Sequence, residues 1–211
     1  MTGRFITFEG GEGAGKSTQS RLLAETLRGR GIVVDLTREP GGTPGAEAIR
    51  SLILDAADDG WGPRAEALLF AAARADHVAK RIRPALAGGT WVVCDRFLDS
   101  SRAYQGMAGG MADAELLDLH RIGSEGLLPD ITILITLPAQ AADERLARRT
   151  GGGADAIERR GADYHAKVAE AFTRLAVAEP ARFRVIDGSG TIEQTHAAIM
   201  AAVLPLLDAA T

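Results

Sequence analysis

Residues 6–18, ITFEGGEGAGKST, pass from an apolar run into a glycine-rich loop that ends in a lysine and two hydroxyl residues. Glycine adopts left-handed backbone angles at little steric cost, so successive N–H groups of such a loop can point into one concavity and bind an anion. Residues 5–8 predict a short buried strand, and residues 17–28 predict a helix with one apolar face. This strand, loop and helix together predict a phosphate-binding site, which constrains the fold more than any other feature.

The spacing of the loop matches the Walker A pattern: Gly10, four residues, then Gly15, Lys16 and Ser17. In that pattern, loop amides and the helix N-terminus bind phosphates, the lysine reaches the β and γ oxygens, and the hydroxyl binds Mg²⁺. We therefore expect Lys16 to act in catalysis and Ser17 to be a metal ligand. The expected ATP-binding residues are Gly10, Gly11, Glu12, Gly13, Ala14, Gly15, Lys16, Ser17 and Thr18.

Short β-rich runs recur along the chain as RFITF, IVVDLT, TWVVCD, ITILITL and FRVID, and segments of helical periodicity separate them. This alternation predicts an α/β fold. Continuous apolar strands indicate burial on both faces, so we expect a five-stranded parallel sheet flanked by helices, with ligands at the carboxyl ends of the strands. The length of 211 residues predicts one domain over residues 1–211.

The net charge and the cysteine content limit which partners the protein is expected to bind and in which compartment it is expected to act. The formal net charge is −4 and the sequence pI is about 5.6, which gives no general attraction to nucleic acids or anionic membranes. Cys94 is the only cysteine, so an intrachain disulfide is excluded and a reducing compartment is favoured. No signal-peptide pattern or long apolar stretch occurs. We expect a soluble cytoplasmic protein that binds neither nucleic acid nor membrane.

Two further strand ends carry charged residues suited to phosphates. Asp95 and Arg96 follow the run WVVC, where the acid suits Mg²⁺, directly or through water, and the arginine suits a second phosphate. Arg38 begins REPGGT after the run IVVDL, at the same predicted edge of the sheet. The alternatives are a structural Asp–Arg ion pair and an exposed arginine in a turn.

A weaker pattern indicates a base-binding surface. Phe70 and Arg74 are four residues apart on a predicted helix, so they share a face that suits stacking on a base and bonding to its edge. The alternative is a core phenylalanine beside a surface arginine. The segment DRFLDSSRAYQG adds the polar candidates Ser100, Ser101, Tyr104 and Gln105.

Residues 145–160, RLARRTGGGADAIERR, place arginines on both sides of a glycine run. Arginines on a flexible flap can close over phosphates, so beside a phosphate-binding loop this segment predicts a lid. The alternative is a solvated helical hairpin with surface charge.

The segments FEGGEGAGKST, TREPGGT, LLFAAAR and CDRFLDSSRAYQG, in this order and spacing, resemble the bacterial thymidylate kinase family, whose members make dTDP from dTMP and ATP. The resemblance runs from residue 4 to residue 207. It implies a three-layer P-loop NTPase fold with strand order 2-3-1-4-5, ATP and dTMP as ligands with Mg²⁺, and a homodimer.

The resemblance also implies which side chains hold the base of dTMP. Phe70 would stack on thymine and Arg74 would bond its O4. Ser101 and Gln105 would lie beside the base.

Further contacts implied by the resemblance concern the sugar, the phosphate and the adenine. Tyr104 would lie under the sugar, where a ribose 2′-hydroxyl would clash, and Glu12 would contact the 3′-hydroxyl. Arg38 and Arg96 would bind the dTMP phosphate, and the backbone of residues 187–190 would border adenine.

The chain departs from the family pattern in its arginines. Some members carry an arginine immediately after the acidic residue of the phosphate loop, where this chain has Gly13. The bacterial type supplies a lid arginine instead, but its usual position is Ala156 here. The remaining candidates are Arg148, Arg149, Arg159 and Arg160. Among these Arg149 is favoured, so the expected catalytic residues are Lys16, Arg38, Arg96 and Arg149.

Three alternative functions stay open on the residues alone. Another nucleoside-monophosphate kinase, acting on dUMP, CMP or AMP, shares the scaffold. A P-loop regulatory switch is disfavoured because the chain contains no asparagine and so lacks the Asn-Lys-x-Asp guanine-reading motif. An ATPase acting on nucleic acid is disfavoured by the acidic charge.

Overall fold

The structure, a computed structural model, describes residues 3–56, 60–147, 156–157 and 159–208. Five parallel strands form one sheet in the order β2-β3-β1-β4-β5, as the resemblance implied. Their bounds are β1 Phe5–Glu9, β2 Val34–Arg38, β3 Trp91–Asp95, β4 Ile131–Thr136 and β5 Phe183–Asp187. All five predicted strands are therefore confirmed, and β1 lies at the centre of the sheet.

Helices connect and cover the strands, and two π-helical segments extend them. The α-helices are α1 Lys16–Gly29, α2 Pro44–Leu54, α3 Pro63–His77, α4 Arg83–Ala87, α5 Leu98–Ser101, α6 Asp113–Ser124, α7 Ala139–Ala147, α8 Ala162–Ala178 and α9 Ile192–Asp208. The π-helical segments are Val78–Ile82, between α3 and α4, and Arg102–Ala108, after α5. Within the described part of the chain, no helix is both long and apolar enough to cross a membrane.

The core has two apolar layers, one on each face of the sheet, because successive strand residues point to opposite faces. Ile6 and Phe8 of β1 join Leu23 of α1 and Val203 of α9 in the first layer. On the other face, the central strands pack against the π-helical segment 78–82, α5 and α8. The three-layer α/β arrangement expected from the sequence is confirmed.

Local sequence explains where the helices beside the site begin. Gly15 lies in the left-handed region with φ 93°, and α1 starts at the next residue. Pro44 occupies the first turn of α2, and the Thr43 hydroxyl accepts a hydrogen bond from the Ala46 N–H at 3.3 Å. Proline suits a first turn because its missing N–H is not needed there. Both helices therefore start next to the carboxyl edge of the sheet.

Candidate active site

The carboxyl ends of β2, β3 and β1 lie side by side, and a cavity of about 790 Å³ opens at this edge. Most residues predicted for the site line it: Glu12, Gly13, Ala14, Gly15, Lys16, Ser17, Thr18, Arg38, Phe70, Asp95, Arg96, Ser100, Ser101, Tyr104 and Gln105. Arg145 and Ile157 of the predicted lid segment also line it, and so do Gly188 and Gly190 of the segment predicted to border adenine. Arg50 and Leu54 of α2 and the start of α9 line it without having been predicted. One cavity thus joins the phosphate loop to the predicted base-binding residues.

The phosphate loop has the backbone that a phosphate cradle requires. Gly10, Gly13 and Gly15 have φ of 141°, 72° and 93°, values that favour glycine. A Cβ at Gly10 would lie 2.4 Å from the Ile135 carbonyl oxygen of β4, so a side chain is also excluded by space. The loop therefore passes too close to β4 at Gly10 for a residue with a side chain.

Lys16 is buried at the floor of the cavity, with 6% of its surface exposed. Its Nζ donates to the Gly11 carbonyl at 2.7 Å. Burial and the nearby Arg96 charge lower the pKa of Lys16, whereas Glu12 and Asp95 oppose that shift. The ammonium group is therefore ordered inside the loop and stands among other charges of the site.

Ser17 and Asp95 meet between the phosphate loop and β3. The Ser17 hydroxyl donates to Asp95 Oδ2 at 2.5 Å. The other carboxylate oxygen, Oδ1, is buried and has no hydrogen-bond partner. Among the described residues, no group of three or more histidine, cysteine or acidic side chains is arranged to hold a metal ion. One carboxylate and one hydroxyl beside a phosphate cradle fit Mg²⁺, which takes most remaining ligands from waters and phosphates.

Arg96 stands in the middle of the cavity wall with a backbone φ of 69°, which is unusual for a residue with a side chain. Its guanidinium donates to Glu12 at 2.6 Å, to the Tyr104 hydroxyl at 3.2 Å and to the Ser100 hydroxyl at 3.0 Å. Burial opposes ionisation of Glu12, but Arg96 and Lys16 outweigh it and lower the pKa of Glu12 to about 2. This ion pair therefore ties the phosphate loop to the turn after β3 at residues 95–97, called here the DRF turn.

Glu9, the last residue of β1, lies fully buried beneath that turn and was not among the residues predicted for the site. Its Oε1 accepts from the Phe97 N–H at 2.8 Å and the Ser100 N–H at 3.2 Å, and Oε2 accepts from the Ser100 hydroxyl at 2.6 Å. Because Ser100 in turn accepts from Arg96, Glu9 supports the turn that positions the arginine. Burial and the charge of Asp99 raise the pKa of Glu9 from 4.5 to about 7.

Glu9→Gln tests this shift through the pH dependence of the melting temperature. A raised native pKa means that the folded protein binds more protons than the unfolded chain between pH 4.5 and 7. The parent therefore loses stability as pH rises through this window, and glutamine, which does not titrate, does not. We expect the melting temperature of the variant, relative to the parent, to rise on the order of 5 °C from pH 5 to pH 8. The control is Glu25→Gln, at an exposed glutamate of α1, whose melting temperature relative to the parent should not change from pH 5 to pH 8. If the melting temperature of Glu9→Gln relative to the parent is also independent of pH, the raised pKa of Glu9 is contradicted.

The turn after β2 supports Arg38 at the rim of the cavity. Arg38 is exposed and donates to Glu47 of α2 at 3.1 Å, which aligns it along the opening. A Cβ at Gly42 would lie 2.5 Å from Nε2 of His77 and 2.6 Å from Oγ1 of Thr37. Glycine at residue 42 therefore lets the turn pack directly on α3, with Arg38 directed to the opening.

Arg74 does not line the cavity but lies directly behind it, 4% exposed. Its guanidinium donates to Glu39 at 2.7 Å, to Ser101 at 2.9 Å and to the Phe97 carbonyl at 3.1 Å. The alternative interpretation, a core phenylalanine beside a surface arginine, is therefore wrong. Arg74 is buried in the interior, and Phe70 is half-buried at the cavity. Contact of Arg74 with a bound base remains a prediction.

The predicted lid is described only in part. Arg148 and Arg149, the latter the favoured lid arginine, lie outside the described residues, as does the glycine run. Arg145 at the start of the segment lies on α7 and donates to the Gly188 carbonyl at 2.8 Å. Arg160 at its end reaches Glu66 of α3. The described ends of the segment thus contact the loop after β5 and the helix α3.

A buried polar face of α3 was not predicted from the sequence. Glu66 and His77 lie on this face with Phe70 and Arg74, and both are buried. His77 lies 3.0 Å from Glu39 Oε1, so it supports the same carboxylate that holds Arg74. The signal was present as polar residues at positions 66, 74 and 77, a spacing that returns to one side of a helix.

Comparisons with known proteins agree with this geometry. A sequence model of the family described as thymidylate kinase matches residues 8–199. The chain is 55% identical over 207 residues to a thymidylate kinase of Rhizorhabdus wittichii, covering 98% of this chain and 100% of that protein. It is 49% identical over 203 residues to a thymidylate kinase of Rhodopseudomonas palustris, covering 95% and 88%. A crystal structure of thymidylate kinase from Ehrlichia chaffeensis superposes with a TM-score of 0.79 at 33% identity, covering 96% of this chain and 100% of that one. With its phosphate loop, DRF turn and sheet order in place, the chain belongs to the thymidylate kinase family.

Proposed function

We propose that the protein transfers the γ-phosphoryl group of ATP to the phosphate of dTMP, forming dTDP for the synthesis of dTTP. The observation that carries this proposal is that one cavity is lined both by a Walker loop and by Phe70, Tyr104 and Gln105. Arg96 lines the same cavity and bonds to Glu12 of the loop and to Tyr104. The family comparisons favour this reaction over another monophosphate kinase or a nucleotide switch.

Charge compensation is the main task of such a site. The donor and acceptor phosphates repel one another, and a loose phosphoryl-transfer transition state needs positioning and electrostatic stabilisation more than covalent chemistry. Lys16 and the loop amides hold the ATP phosphates, while Arg38 and Arg96 hold the acceptor phosphate. The acceptor oxygen is already ionised at neutral pH, so no general base is required.

Mg²⁺ is the proposed metal, held by Ser17 and Asp95 beside the ATP phosphates. When bound, the ion neutralises charge on the transferring group. The buried Asp95 oxygen without a hydrogen-bond partner gives the support for this assignment. The Ser17–Asp95 hydrogen bond holds the two proposed ligands next to each other.

The base end of the cavity supplies substrate selection. Phe70 stacks on thymine, Arg74 bonds the base edge from behind Ser101, and Tyr104 lies under the sugar next to Glu12. Packing of the thymine methyl separates dTMP from dUMP by only about 10–200-fold, so contacts to the sugar and base edge must contribute the rest.

We also propose that residues 145–160 close over the bound nucleotides as a lid, with Arg149 as the arginine that neutralises the transferring phosphoryl. Closure would exclude water, which otherwise accepts the phosphoryl group. Hydrogen exchange over residues 148–160 should slow in the presence of a bisubstrate analogue, and equal exchange with and without it would contradict the lid.

A monophosphate panel tests the function directly. ADP release is followed with dTMP, TMP, dUMP, CMP and AMP as acceptors, each with Mg²⁺ and with EDTA. We expect fast turnover with dTMP, weaker turnover with dUMP and TMP, and none in EDTA. Preference for CMP or AMP would identify another monophosphate kinase, and turnover independent of any acceptor would contradict the kinase assignment.

Two further properties are proposed with the reaction. The protein acts in the cytoplasm, where Cys94 stays reduced, and it forms a homodimer. Exposed Leu68 of α3 and Ile122 of α6 support an interface, because α3 and α6 pack against each other and both carry exposed apolar side chains. Sedimentation equilibrium should give twice the mass of 22.1 kDa, and a monomeric mass at micromolar concentration would contradict the dimer.

A further inference from the structure

A chain of polar contacts connects the end of the predicted lid to the base side of the cavity. Glu66 of α3 accepts from Gln105 Nε2 at 2.8 Å through Oε1, and from Arg160 through Oε2. Arg160 also donates to the Tyr164 hydroxyl at 2.5 Å and lies 4.7 Å above its ring. Tyr164 in turn donates to the Tyr104 carbonyl at 2.7 Å. Three segments that are distant in sequence are thus tied together around Gln105.

The chemistry of this chain fixes the orientation of one amide. A carboxylate only accepts hydrogen bonds, so the NH₂ group of Gln105 must face Glu66. The amide oxygen of Gln105 is therefore the end of the amide that does not bond to Glu66, and Gln105 lines the cavity. Gln105 and Glu66 are 2% and 4% exposed, so reversing the amide would bury an unpaired oxygen against a carboxylate.

Arg160 is the residue that keeps this arrangement in place. Its positive charge neutralises the buried Glu66 carboxylate, and both of its terminal nitrogens already have partners, Glu66 and Tyr164. Those partners lie on α3 and α8, on the base side of the site. This position differs from that expected of an arginine acting on the transferring phosphoryl, the role for which Arg160 was one of four candidates.

We infer that Arg160 and Glu66 are positioning residues for nucleobase recognition, which hold the Gln105 amide with its oxygen toward the base. An acceptor at that place pairs with a ring N–H, which thymine has at N3. Cytosine has an acceptor at its N3, so the fixed amide disfavours it. The inference rests on the proposed function, because it assigns the base end of the same cavity.

Binding and kinetics of matched variants test the inference. Arg160→Met removes the charge, and Glu66→Gln supplies an NH₂ group that allows the Gln105 amide to reverse. We expect the dTMP Kd, measured by calorimetry without ATP, and the dTMP KM each to rise about tenfold in both variants. The kcat and the KM for ATP should stay within about twofold. The ratio of kcat/KM for dTMP over dCMP should fall about tenfold in Glu66→Gln.

Controls separate positioning from a general structural role. Arg174→Met makes the same change at an exposed arginine of α8, paired with Glu170 on the surface, and should leave the dTMP Kd unchanged. Arg160→Lys keeps the charge and should recover part of the dTMP affinity lost in Arg160→Met. If Arg160→Met unfolds at the assay temperature, Glu66→Gln and Arg160→Lys, both close in shape to the parent, decide the question.

Two results would overturn the inference. The first is a dTMP Kd within twofold of the parent in folded variants. The second is a fall in kcat with unchanged dTMP Kd, which would assign Arg160 to the phosphoryl group instead. Failure of the parent itself to phosphorylate dTMP would instead contradict the proposed function, so the two failures are distinguishable.

Discussion

Arg96→Ala should lower kcat/KM for dTMP phosphorylation about 10³-fold while changing the melting temperature by only a few degrees. The guanidinium stands on the cavity wall between the phosphate loop and the base end, where the two substrate phosphates must meet. Alanine also carries a Cβ, so the substitution leaves the unusual backbone angle of 69° equally strained. The substitution should therefore lower the rate of phosphoryl transfer more than the stability. It removes the charge that stabilises the reacting phosphates, while the hydrogen bonds from Glu9 still hold the turn.

The matched control is Arg121→Ala, at an arginine of α6 whose side chain is 69% exposed. Steady-state kinetics and thermal melting of both variants give the comparison. Equal kcat/KM in Arg96→Ala and the parent would refute the role of Arg96. A large fall in melting temperature that accounts for the lost activity would make Arg96 a structural residue instead.

Lys16→Met should reduce kcat by about 10³-fold and weaken ATP binding. Methionine retains much of the length and volume of lysine but cannot neutralise the phosphate oxygens that approach one another in the transition state. Burial and Arg96 lower the pKa of Lys16, which means that both disfavour its charged form in the folded protein. Removing the charge therefore also removes this unfavourable contribution to the free energy of folding. We therefore expect the melting temperature of the nucleotide-free variant to be equal to or above that of the parent.

Nucleotide-dependent melting separates these effects. ATP with Mg²⁺ should raise the melting temperature of the parent and of Lys167→Met, an exposed control on α8, more than that of Lys16→Met. Full retention of kcat in Lys16→Met would contradict the Walker assignment of the loop.

The sequence predicts the parts of this molecule that depend on local patterns. Apolar strands and glycine spacing are encoded in neighbouring residues, so β1, the phosphate loop and α1 follow from the segment around Gly15. The positions of Asp95 and Arg38 at one edge follow from the parallel sheet. The strand order came from the family resemblance, since periodicity contains no information on which strands are neighbours.

The supporting contacts could not be predicted in the same way because their partners are distant in sequence. Arg160 and Glu66 are 94 positions apart, and Glu9 meets Ser100 across 91 positions. The π-helical turns around Gln105 also depend on tertiary packing, since the segment 102–108 packs against α8. Buried polar groups at strand ends and on helix faces are the general signal that such networks leave in a sequence.

The pairing of Arg96 with Glu12 affects which anions the cavity can bind. An entering phosphate meets an arginine that is already ordered, so little side-chain entropy is lost, but it must share this cation with a carboxylate that stays ionised. A nucleoside monophosphate can offset that repulsion through its sugar hydroxyl, which can donate to the same carboxylate. Inorganic phosphate and sulfate have no such group, so we expect the cavity to bind these bare oxyanions more weakly than a nucleoside monophosphate.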